Sequence, residues 1–359
     1  MNKKIIFSAG GTGGHVMPAI NLMKHFEEKG YEVVLVTDLR GKNFTENYSK
    51  IKAYYLKVET PTNKNFFKKI LSIFIIFYSI IKSTIIMKKE KPDLIFGLGG
   101  YVSFPICFVS KFFNVPLAIY ENNMILGRTN KILSFFSKKI FISKKIKFKF
   151  PEKYKKKTHE VGPILDKKII NQTYPQKARD DKKFSIITLG GSQGAAIFGK
   201  IIPPSIKLIK ENGYEVEIAQ QCLPSQKNSI INFYNDSGIK NNIFTFENNI
   251  LNLILKSDLA ITRCGASTTA ELAYSLTPFI AIPLPNSIDN HQYLNGKYYE
   301  EMGCCWLIKQ EDLNPKNLSN LIVEIINNKN KLENIRANMK KIHKKNVYDN
   351  VENELREFI

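Results

Sequence analysis

Two glycine-rich segments of the sequence could bind an anion through their backbone. They read "GGTGGH" at residues 10–15 and "GGSQGA" at 190–195. Each lies between an apolar run and a helical pattern, where N–H groups at a helix N-terminus can approach a phosphate or a hydroxyl. Neither is a P-loop, because no Lys-Ser/Thr pair follows the last glycine. A tight turn needing positive φ would explain either segment alone, but two of them, opening two similar halves, predict a ligand-binding cleft.

A third turn carries side chains that suit a nucleotide. The segment "SDLAITRCGASTTAELA" passes from a strand pattern into a helix that opens with Ser267, Thr268 and Thr269, and Glu271 follows. Small residues leave the N–H groups of the helix start open to a diphosphate, and Glu271 could accept hydrogen bonds from ribose hydroxyls. Thr268 and Glu271 also have the spacing of a helix capping box, which on spacing alone is the better explanation.

His15 could do proton chemistry at the end of the first turn. An imidazole has an unperturbed pKa of about 6.5 and can accept a proton near neutral pH. Taken alone, a histidine after glycines is more often structural than catalytic. The sequence has no Asp-x-Asp pair of the kind that holds a nucleotide-sugar metal, so we predict no tightly bound metal and no other cofactor.

The elements that must position these turns repeat as strand, turn and helix. Buried strand patterns such as "IIFS", "VVLV" and "LIFG" in the first half, and "FSIITL" and "LAIT" in the second, alternate with helical periodicity. A chain of 359 residues exceeds the ~250–300 at which a single core stops growing. We therefore predict two doubly wound parallel-sheet α/β domains, followed by a helical segment at 331–359.

Composition limits the compartment and the partners. The five cysteines show neither CxxC nor metal spacing, so we expect no disulfide and no zinc. The apolar run after "MNKK" is too short for a signal peptide, which predicts a cytoplasmic protein. Residues 1–160 hold 29 Lys and Arg against 11 Asp and Glu, so they carry +18 of the total charge of +21. This asymmetry indicates a polyanionic partner for the first half, either nucleic acid or an anionic membrane.

Two stretches of the first half could contact that partner. Residues 66–89 contain 12 uncharged residues between Lys69 and Lys82, fewer than the ~20 needed to span a bilayer. This stretch fits a helix lying on an anionic membrane surface, and a buried core helix is the alternative. The tract "SKKIKFKFPEKYKKK" at 143–157 alternates lysine with aromatic residues and would by itself also fit a nucleic-acid patch.

Six ordered motifs cover nearly the whole chain. They are "GGTGGHVMPA" from residue 10, "GLGGYVSFP" at 97–105, "ENN" with "GRTNK" at 121–131, "LGGSQGA" at 189–195, "TRCGASTTAELA" at 262–273 and "DNHQYLNG" at 289–296. In order and spacing they resemble the MurG family, the lipid-linked UDP-N-acetylglucosamine transferases of peptidoglycan synthesis. The resemblance implies a GT-B fold, in which two Rossmann-like domains face each other across a cleft.

The resemblance also implies a reaction and a role for each domain. N-acetylglucosamine would pass, with inversion, from UDP-N-acetylglucosamine to the C4 hydroxyl of N-acetylmuramoyl-pentapeptide on undecaprenyl diphosphate, converting lipid I to lipid II. Residues 1–162 would bind this acceptor and the membrane, 163–340 would bind the UDP-sugar, and 341–359 would form a helix able to pack back on the first domain. The enzyme would be a peripheral protein on the cytoplasmic face of the inner membrane, without a nucleic-acid partner.

The family motifs assign roles to individual residues. The candidates for general base or acceptor contact are His15, Glu121 and Tyr101. The residues near the donor sugar match Thr12, Gly13, Gly14 and Asn123. The contacts to nucleotide, diphosphate, ribose and sugar hydroxyls match Ser192, Glu247, Ala266, Ser267, Thr268, Thr269, Ala270, Glu271, His291 and Gln292. Glu247 would meet the uracil through its backbone, and in this context the capping-box explanation for Glu271 is the weaker one.

Two positions depart from the family pattern. Asp166 stands where the family usually has an arginine that contacts the nucleotide, and a carboxylate cannot replace a guanidinium there. Lys167 or Lys168 could compensate for that loss. Met124 stands where glycine is common, which puts the backbone conformation of the "ENN" turn in question.

Other functions stay open at the level of the sequence. A transferase for another glycolipid, or a UDP-N-acetylglucosamine epimerase, would keep the fold, although the apolar stretch at 66–89 argues against the epimerase. A dinucleotide-dependent oxidoreductase is disfavoured, because the fingerprint G-x-G-x-x-G would need glycine at Val16. A basic nucleic-acid-binding protein would explain the charge but not the three turns.

Overall fold

The computed structural model of the chain forms two compact units. It describes residues 3–45, 51–58, 66–144, 152–171, 183–191, 194–247 and 249–359. The first unit comprises residues 1–167 together with 344–359, and the second comprises 168–343. The predicted boundaries, 162 and 340, lie a few residues from these ends. The roles predicted for the two domains stay predictions.

The first unit is built on one sheet of seven parallel strands. The strands are β1 (Lys4–Ser8), β2 (Glu32–Thr37), β3 (Lys52–Tyr55), β4 (Leu94–Gly97), β5 (Leu117–Glu121), β6 (Lys139–Ile142) and β7 (Thr158–Glu160). Their order in the sheet is β3-β2-β1-β4-β5-β6-β7. The helices between them are α1 (Gly13–Glu28), α2 (Leu39–Thr45), α3 (Phe66–Glu90), α4 (Ser103–Ser110) and α5 (Arg128–Leu133).

The second unit repeats this plan with six parallel strands. The strands are β8 (Phe184–Leu189), β9 (Val216–Gln221), β10 (Lys240–Phe244), β11 (Leu259–Thr262), β12 (Phe279–Ala281) and β13 (Cys305–Leu307), in the order β10-β9-β8-β11-β12-β13. The remaining helices of the chain are α6 (Lys167–Ile170), α7 (Ala196–Glu211), α8 (Lys227–Asp236), α9 (Ile250–Lys256), α10 (Ala266–Tyr274), α11 (His291–Glu301), α12 (Pro315–Asn327), α13 (Lys329–Lys341) and α14 (Val347–Leu355). The predicted class, two Rossmann-like parallel-sheet domains of the GT-B type, is confirmed, and the cleft between them stays a prediction.

Each sheet has one point where its strand order reverses. In the first sheet β1 pairs with β4, and in the second β8 pairs with β11. Connections leave in opposite directions at such a point, which opens a crevice at the carboxyl ends of the two strands where α/β proteins bind ligands. The two glycine-rich segments, 10–15 and 190–195, follow β1 and β8. The "GLGG" turn follows β4, and the turn that begins α10 follows β11. The predicted site residues that the structure describes therefore lie at the carboxyl edges of the two sheets.

Apolar strands packed between helices form the core of each unit. In the first sheet the ring of Phe96 on β4 stacks on Phe7 of the neighbouring strand β1, with centroids 5.7 Å apart, and on Phe141 of β6, across β5, with centroids 5.6 Å apart. In the second unit Phe198 and Ile202 of α7 are fully buried in the core. The strands that precede the two glycine-rich segments are thus packed within the cores of their units.

The C-terminal segment is two helices rather than one. α13 ends at Lys341 and α14 begins at Val347, and α14 belongs to the first unit. A hydrogen-bond contact and an ion pair attach it there: Glu352 contacts His25 at 3.0 Å, and Glu354 pairs with Lys139 at 3.0 Å. The chain therefore ends in the unit in which it begins.

Helix α3 has an unusual distribution of side chains. Its exposed side chains include the large apolar residues Leu71, Ile73, Phe74, Phe77, Tyr78, Ile81 and Ile85. Small polar residues, Ser72, Ser79 and Ser83, are fully buried on its inner face. An amphipathic helix of a water-soluble domain places these residue types the other way round. The outer face of α3 is therefore suited to an apolar environment.

The length of α3 corrects one expectation. Among the described residues, the segment Leu71–Glu90 is long and apolar enough to cross a membrane, by length and composition only. Lys82 interrupts this segment without ending it, so counting only uncharged residues made it appear too short. The C-terminal turns of α3 pack into the first unit, where Ile86 and Met87 are buried.

Candidate active site

The two turns of the first unit are locked together by glycines. The backbone N–H of Gly10 donates to the carbonyl of Gly99 at 3.3 Å. Gly100 has a φ of +79°, and a Cβ on it would lie 2.4 Å from the carbonyl oxygen of Gly10. No side chain fits at that position, because the second turn touches the first through backbone atoms.

The predicted residues Thr12, Gly13 and Gly14 form the start of α1. Thr12 is the N-cap with an extended backbone, its side chain makes no capping hydrogen bond, and the first turn contains no acidic residue. The helix dipole and the N–H groups of this turn therefore favour an anion. Tyr101 lies half-buried in the neighbouring turn, just before α4.

His15 lies in the first turn of α1, and its ring packs against Gly99 of the "GLGG" turn that follows β4. Its backbone N–H donates to Thr12, and Nδ1 of its ring is buried. The Nδ1 and Cε1 atoms of this ring are the heavy atoms nearest to the position that a Cβ on Gly99 would occupy. The structure thus brings together the residues of the "GGTGGH" and "GLGG" motifs around one imidazole.

Glu121 organises the loop that follows β5. One carboxylate oxygen accepts from the backbone and side-chain nitrogens of Asn123 at 3.0 and 2.9 Å. The other oxygen accepts from the N–H of Gly127 at 2.9 Å and from Nδ2 of Asn130 at 3.0 Å. Glu121 is buried, and four donors use both of its oxygens. This geometry favours a positioning role over the predicted role as general base.

The position of Met124 answers the question raised by the missing glycine. Its side chain is buried, with 2% exposure, and its φ is not among the positive values of the described residues. The loop therefore needs no glycine here. Asn123, the predicted sugar contact, is half-buried beside it and is held by Glu121.

The turn of the second unit that is predicted to bind the donor begins α10. Its N-cap is Gly265, with no side-chain cap and no acidic residue in the first turn. Because Thr268 lies inside the helix, the capping box with Glu271 does not form. Ser267, Thr268 and Glu271 are half-buried, so their side chains remain at the surface of the turn. The start of α10 is suited to a diphosphate.

Three further predicted residues of this turn are oriented inward. Ala266, Thr269 and Ala270 are buried. The hydroxyl of Thr269 donates to the carbonyl of Gly265 at 3.0 Å. Any contact of these residues with a ligand would therefore be made by their backbone.

Side chains of helix α11 bind both the backbone N–H and the backbone carbonyl of Cys264, which lies just before the α10 turn. The side-chain oxygen of Gln292 accepts from the backbone N–H of Cys264 at 3.2 Å and from that of Leu284 at 2.9 Å. One turn later, Nδ2 of Asn295 donates to the carbonyl of Cys264 at 3.1 Å. The oxygen of Gln292 is thus used by the backbone, so its predicted contact with a sugar would be made by its amide N–H groups. Asn295 was missed in the sequence, although its spacing of three from Gln292 puts both on one helix face.

Arg263 was also missed and is a buried cation beside the donor turn. Its guanidinium donates to the carbonyls of Ile282 at 3.3 Å and Pro283 at 3.0 Å, and to Oε1 of Gln310 at 2.6 Å. It also lies over the ring of Phe198. Burial lowers the pKa of Arg263 from its ordinary value. This side chain fixes the loop after β12 to the strand that leads into α10.

The remaining donor-side predictions have different outcomes. Ser192 lies outside the described residues. Oε1 of Glu247 accepts from the N–H of Asn249 at 2.8 Å, so its side chain is bound within its own loop. His291 is the first residue of α11, and its Nδ1 contacts the carbonyl of Ile288 at 2.7 Å. The predicted roles of these three residues stay predictions.

Asp166 lies in the first unit beside the C-terminal helix. Burial, and then the negative charge of Asp166, raise the pKa of Tyr348. Lys167 is bound to Glu28 and lies over the ring of Tyr348. Of the two lysines proposed to compensate for the family arginine, Lys167 is thus already paired with Glu28.

The described residues contain one three-residue group that could hold a metal ion. It consists of His25, Asp349 and Glu352, and contains none of the predicted site residues. Nε2 of His25 is already 3.0 Å from a carboxylate oxygen of Glu352. The expected absence of a metal from the donor site stays a prediction.

Comparisons with known proteins agree with these two units. The glycosyltransferase family 28 N-terminal domain matches residues 5–142, and the glycosyltransferase family 28 C-terminal domain matches residues 185–353. In solved structures, Acinetobacter baumannii MurG aligns with a TM-score of 0.80 at 23% identity, covering 99% of this chain and 100% of that one. The Staphylococcus aureus MnaA–UDP complex aligns with a TM-score of 0.70 at 15% identity, covering 99% and 96%. These structural likenesses show the fold.

Curated relatives match over almost the whole chain. The UDP-N-acetylglucosamine–N-acetylmuramyl-(pentapeptide) pyrophosphoryl-undecaprenol N-acetylglucosamine transferase of Pelagibacter ubique (strain HTCC1062) is 37% identical over 354 residues, covering 98% of this chain and 97% of the relative. The protein of the same name from Rickettsia bellii (strain RML369-C) is 36% identical over 346 residues, covering 95% and 96%. The chain therefore belongs to glycosyltransferase family 28 and, within it, to the MurG family of N-acetylglucosamine transferases.

Proposed function

We propose that this chain transfers N-acetylglucosamine from UDP-N-acetylglucosamine to the C4 hydroxyl of undecaprenyl-diphosphate-linked N-acetylmuramoyl-pentapeptide, with inversion. The observation that carries this proposal is the nearly full-length relation to transferases named for that donor and acceptor. The glycine turns and the α10 turn lie where the two sheets reverse their strand order, which supports a ligand site in each unit.

The α10 turn supports the role of the second unit as donor site. As the bond between the sugar and UDP breaks, negative charge grows on the diphosphate. N–H groups at the start of α10, with no acidic residue in the first turn, can stabilise that charge before the reaction begins. Cys264 is held by Gln292 and Asn295, so the position of these donors is fixed by α11.

The glycine turns support the role of the first unit as acceptor site. His15 is the candidate general base for the C4 hydroxyl, because it ends a turn whose backbone can approach a diphosphate or a sugar. Glu121 positions the loop of Asn123 rather than accepting the proton, since both of its oxygens already accept hydrogen bonds. We assign no role in proton transfer to Tyr101.

The outer face of α3 supports a peripheral membrane location. A face that exposes Phe74, Phe77 and Ile81, next to the most basic part of the chain, suits the headgroup region of an anionic bilayer. The acceptor lipid would then enter the first unit from the cytoplasmic face of the membrane. The second basic tract, 143–157, lies partly outside the described residues.

The proposal is tested by following both products. The protein is incubated with UDP-N-acetylglucosamine labelled in the sugar, with and without the lipid-linked acceptor, in detergent containing anionic lipid. We expect label in the lipid only when the acceptor is present, with one UDP released for each sugar transferred. His15→Ala should abolish most of this transfer, and Lys297→Ala on the surface of α11 should not.

Other results would point to the alternatives. Conversion of the donor to its C2 epimer without an acceptor would indicate an epimerase. Release of UDP with label in a different lipid would indicate another glycolipid acceptor. Binding to duplex DNA that is tighter than binding to anionic vesicles would favour a nucleic-acid partner.

A further inference from the structure

Gly99 is held in a conformation that L side chains rarely adopt. Its φ is +99°, and its carbonyl accepts from the hydroxyl of Ser103 at 2.6 Å and from the N–H of Gly10 at 3.3 Å. The residue before it is fixed as well, because the N–H of Leu98 donates to the carbonyl of Ser8 at 2.8 Å. The backbone at Gly99 is therefore anchored to both β1 and α4 and cannot move aside easily.

The space beside Gly99 is filled by the imidazole of His15. A Cβ on Gly99 would lie 2.8 Å from Nδ1 and 2.9 Å from Cε1 of that ring. Real Cβ atoms essentially never approach other heavy atoms below 3.0 Å. The His15 backbone is itself fixed in the first turn of α1. Because both backbones are held, a side chain at position 99 would have to displace the ring.

We propose that Gly99 is a positioning residue for His15. The missing side chain lets the imidazole lie against the turn with Nδ1 buried, which sets the direction in which the ring presents Nε2. A displacement of about 1 Å in a reacting group can reduce a rate about a hundredfold. This inference rests on the proposed function, in which His15 is the general base.

Gly30 provides a matched control in the same unit. Its φ is +87°, and no heavy atom lies within 4 Å of the position of its Cβ. Gly30→Ala therefore introduces a comparable left-handed alanine without a collision. The difference between Gly99→Ala and Gly30→Ala isolates the contact with His15 from the backbone strain that both variants share.

The first test observes the ring directly and needs no activity. The chain has five histidines, so the imidazole signals of the ¹⁵N-labelled protein can be assigned by the loss of one set in His15→Gln. We expect Gly99→Ala to shift the ring resonances of His15 and its apparent pKa, and to leave those of His159 unchanged. Gly30→Ala should leave His15 unchanged. A folded Gly99→Ala protein with the His15 signals and titration of the wild type would overturn the proposal.

A double variant covers the case in which Gly99→Ala does not fold. Removing the ring makes room for the new methyl group, so His15→Ala combined with Gly99→Ala should fold. In the absence of such rescue, Gly99 would be required for a reason other than the ring, and the proposal would be wrong.

The last test measures coupling in the transfer reaction. Gly99→Ala should lower kcat at least about tenfold and change the KM for the donor little. In a His15→Ala background the same substitution should lower kcat by less than about twofold, because the group it displaces is already gone. Equal effects in the two backgrounds would contradict a role through His15. If the wild type transfers no sugar at all, the proposed function fails, while the resonance experiment still decides the role of Gly99.

Discussion

The side-chain oxygen of Gln292 accepts the backbone N–H of Cys264 at 3.2 Å, and the same oxygen accepts the N–H of Leu284 at 2.9 Å. One amide thereby joins the residues that follow β11 and β12 to helix α11. Since Cys264 leads directly into the start of α10, the geometry of the candidate diphosphate site depends on a side chain that sequence reasoning assigned only to the sugar.

This dependence predicts different effects for two substitutions of Gln292. Gln292→Met leaves two backbone N–H groups without their acceptor, which should lower the free energy of unfolding by about 1–3 kcal/mol. Gln292→Glu keeps an acceptor, so it should lose less stability while still losing the amide donor for the sugar. Urea unfolding and the KM for UDP-N-acetylglucosamine separate the two effects. Equal losses of stability in both variants would argue against the backbone role.

Arg263 should not tolerate the change to lysine. Its guanidinium serves three acceptors, in Ile282, Pro283 and Gln310, and an ammonium group cannot reach all of them with the same geometry. We expect Arg263→Lys to reduce the free energy of unfolding by about 2–4 kcal/mol and to weaken donor binding. Arg356→Lys, an exposed change, is the control for unfolding in urea. Wild-type stability in Arg263→Lys would contradict the joining role of this side chain.

Glu90 should stabilise the fold at neutral pH and lose this contribution in acid. Burial would raise its pKa, but hydrogen bonds from Lys52, Tyr54 and Lys4 outweigh burial and hold the pKa below its ordinary value of 4.5. A lowered pKa adds stability above about pH 4.5, and this stability is lost as the pH falls through the pKa of the folded state.

The substitution Glu90→Gln tests that contribution. At neutral pH it should lower the free energy of unfolding by about 1.5–3 kcal/mol, because a neutral amide accepts the hydrogen bonds from Lys4, Lys52 and Tyr54 more weakly than the buried carboxylate does. It should also flatten the acid limb of a plot of unfolding free energy against pH. The control is Glu32→Gln, which removes a more exposed partner of Lys4. An unchanged acid limb in Glu90→Gln would show that other carboxylates dominate.

His25 should make the free energy of unfolding depend on pH in a higher pH range than Glu90 does. Burial lowers its pKa below the ordinary 6.5, and the hydrogen bond with Glu352 offsets only part of that effect. The unfolded chain therefore takes up a proton more readily, so stability should decrease as the pH falls below about 6.5, with a slope of at most about 1.4 kcal/mol per pH unit. His25→Gln should remove this slope, and His159→Gln in the same unit should keep it. Unfolding in urea between about pH 7.5 and about pH 5 measures both.

We predict that the protein binds the membrane through the exposed apolar face of α3. Replacing Phe74 and Phe77 together by serine should reduce partitioning onto anionic vesicles at least about tenfold, because each buried phenylalanine contributes about 1.5–3 kcal/mol. Met302→Ser, which removes an exposed apolar side chain of the second unit, should have little effect. Vesicle sedimentation gives the partition coefficient. Unchanged partitioning of the double variant would assign membrane binding to another surface.

The turns and most strands could be predicted because their signals are local. An apolar run that meets glycines, as at Ser8–Gly10, fixes both the end of a strand and the start of a turn. The strands missed in the sequence, β3, β7 and β13, are all at sheet edges. They are short and only partly buried, so they lack the continuous apolar pattern of the inner strands.

The contacts that fix the site could not be predicted, because they join distant parts of the chain. Arg263 follows β11 and Gln310 follows β13, 47 residues later, so their hydrogen bond depends on how distant segments of the second unit pack. Glu121 shows a second limit, the conformation of a local loop, because its partners Gly127 and Asn130 are only 6 and 9 residues away. Its motif marks it as a site residue, but only the positions of Gly127 and Asn130 reveal that its oxygens are already used.

The most direct test of the central claim is the structure of the bond formed in the product. The lipid-linked product made from UDP-N-acetylglucosamine should be isolated and its new glycosidic linkage determined by NMR spectroscopy. We predict a β-linked N-acetylglucosamine on the C4 hydroxyl of the muramoyl residue, as direct displacement on the α-linked donor requires. An α-linkage, attachment at another hydroxyl, or recovery of the unmodified acceptor after complete consumption of the donor would contradict this account.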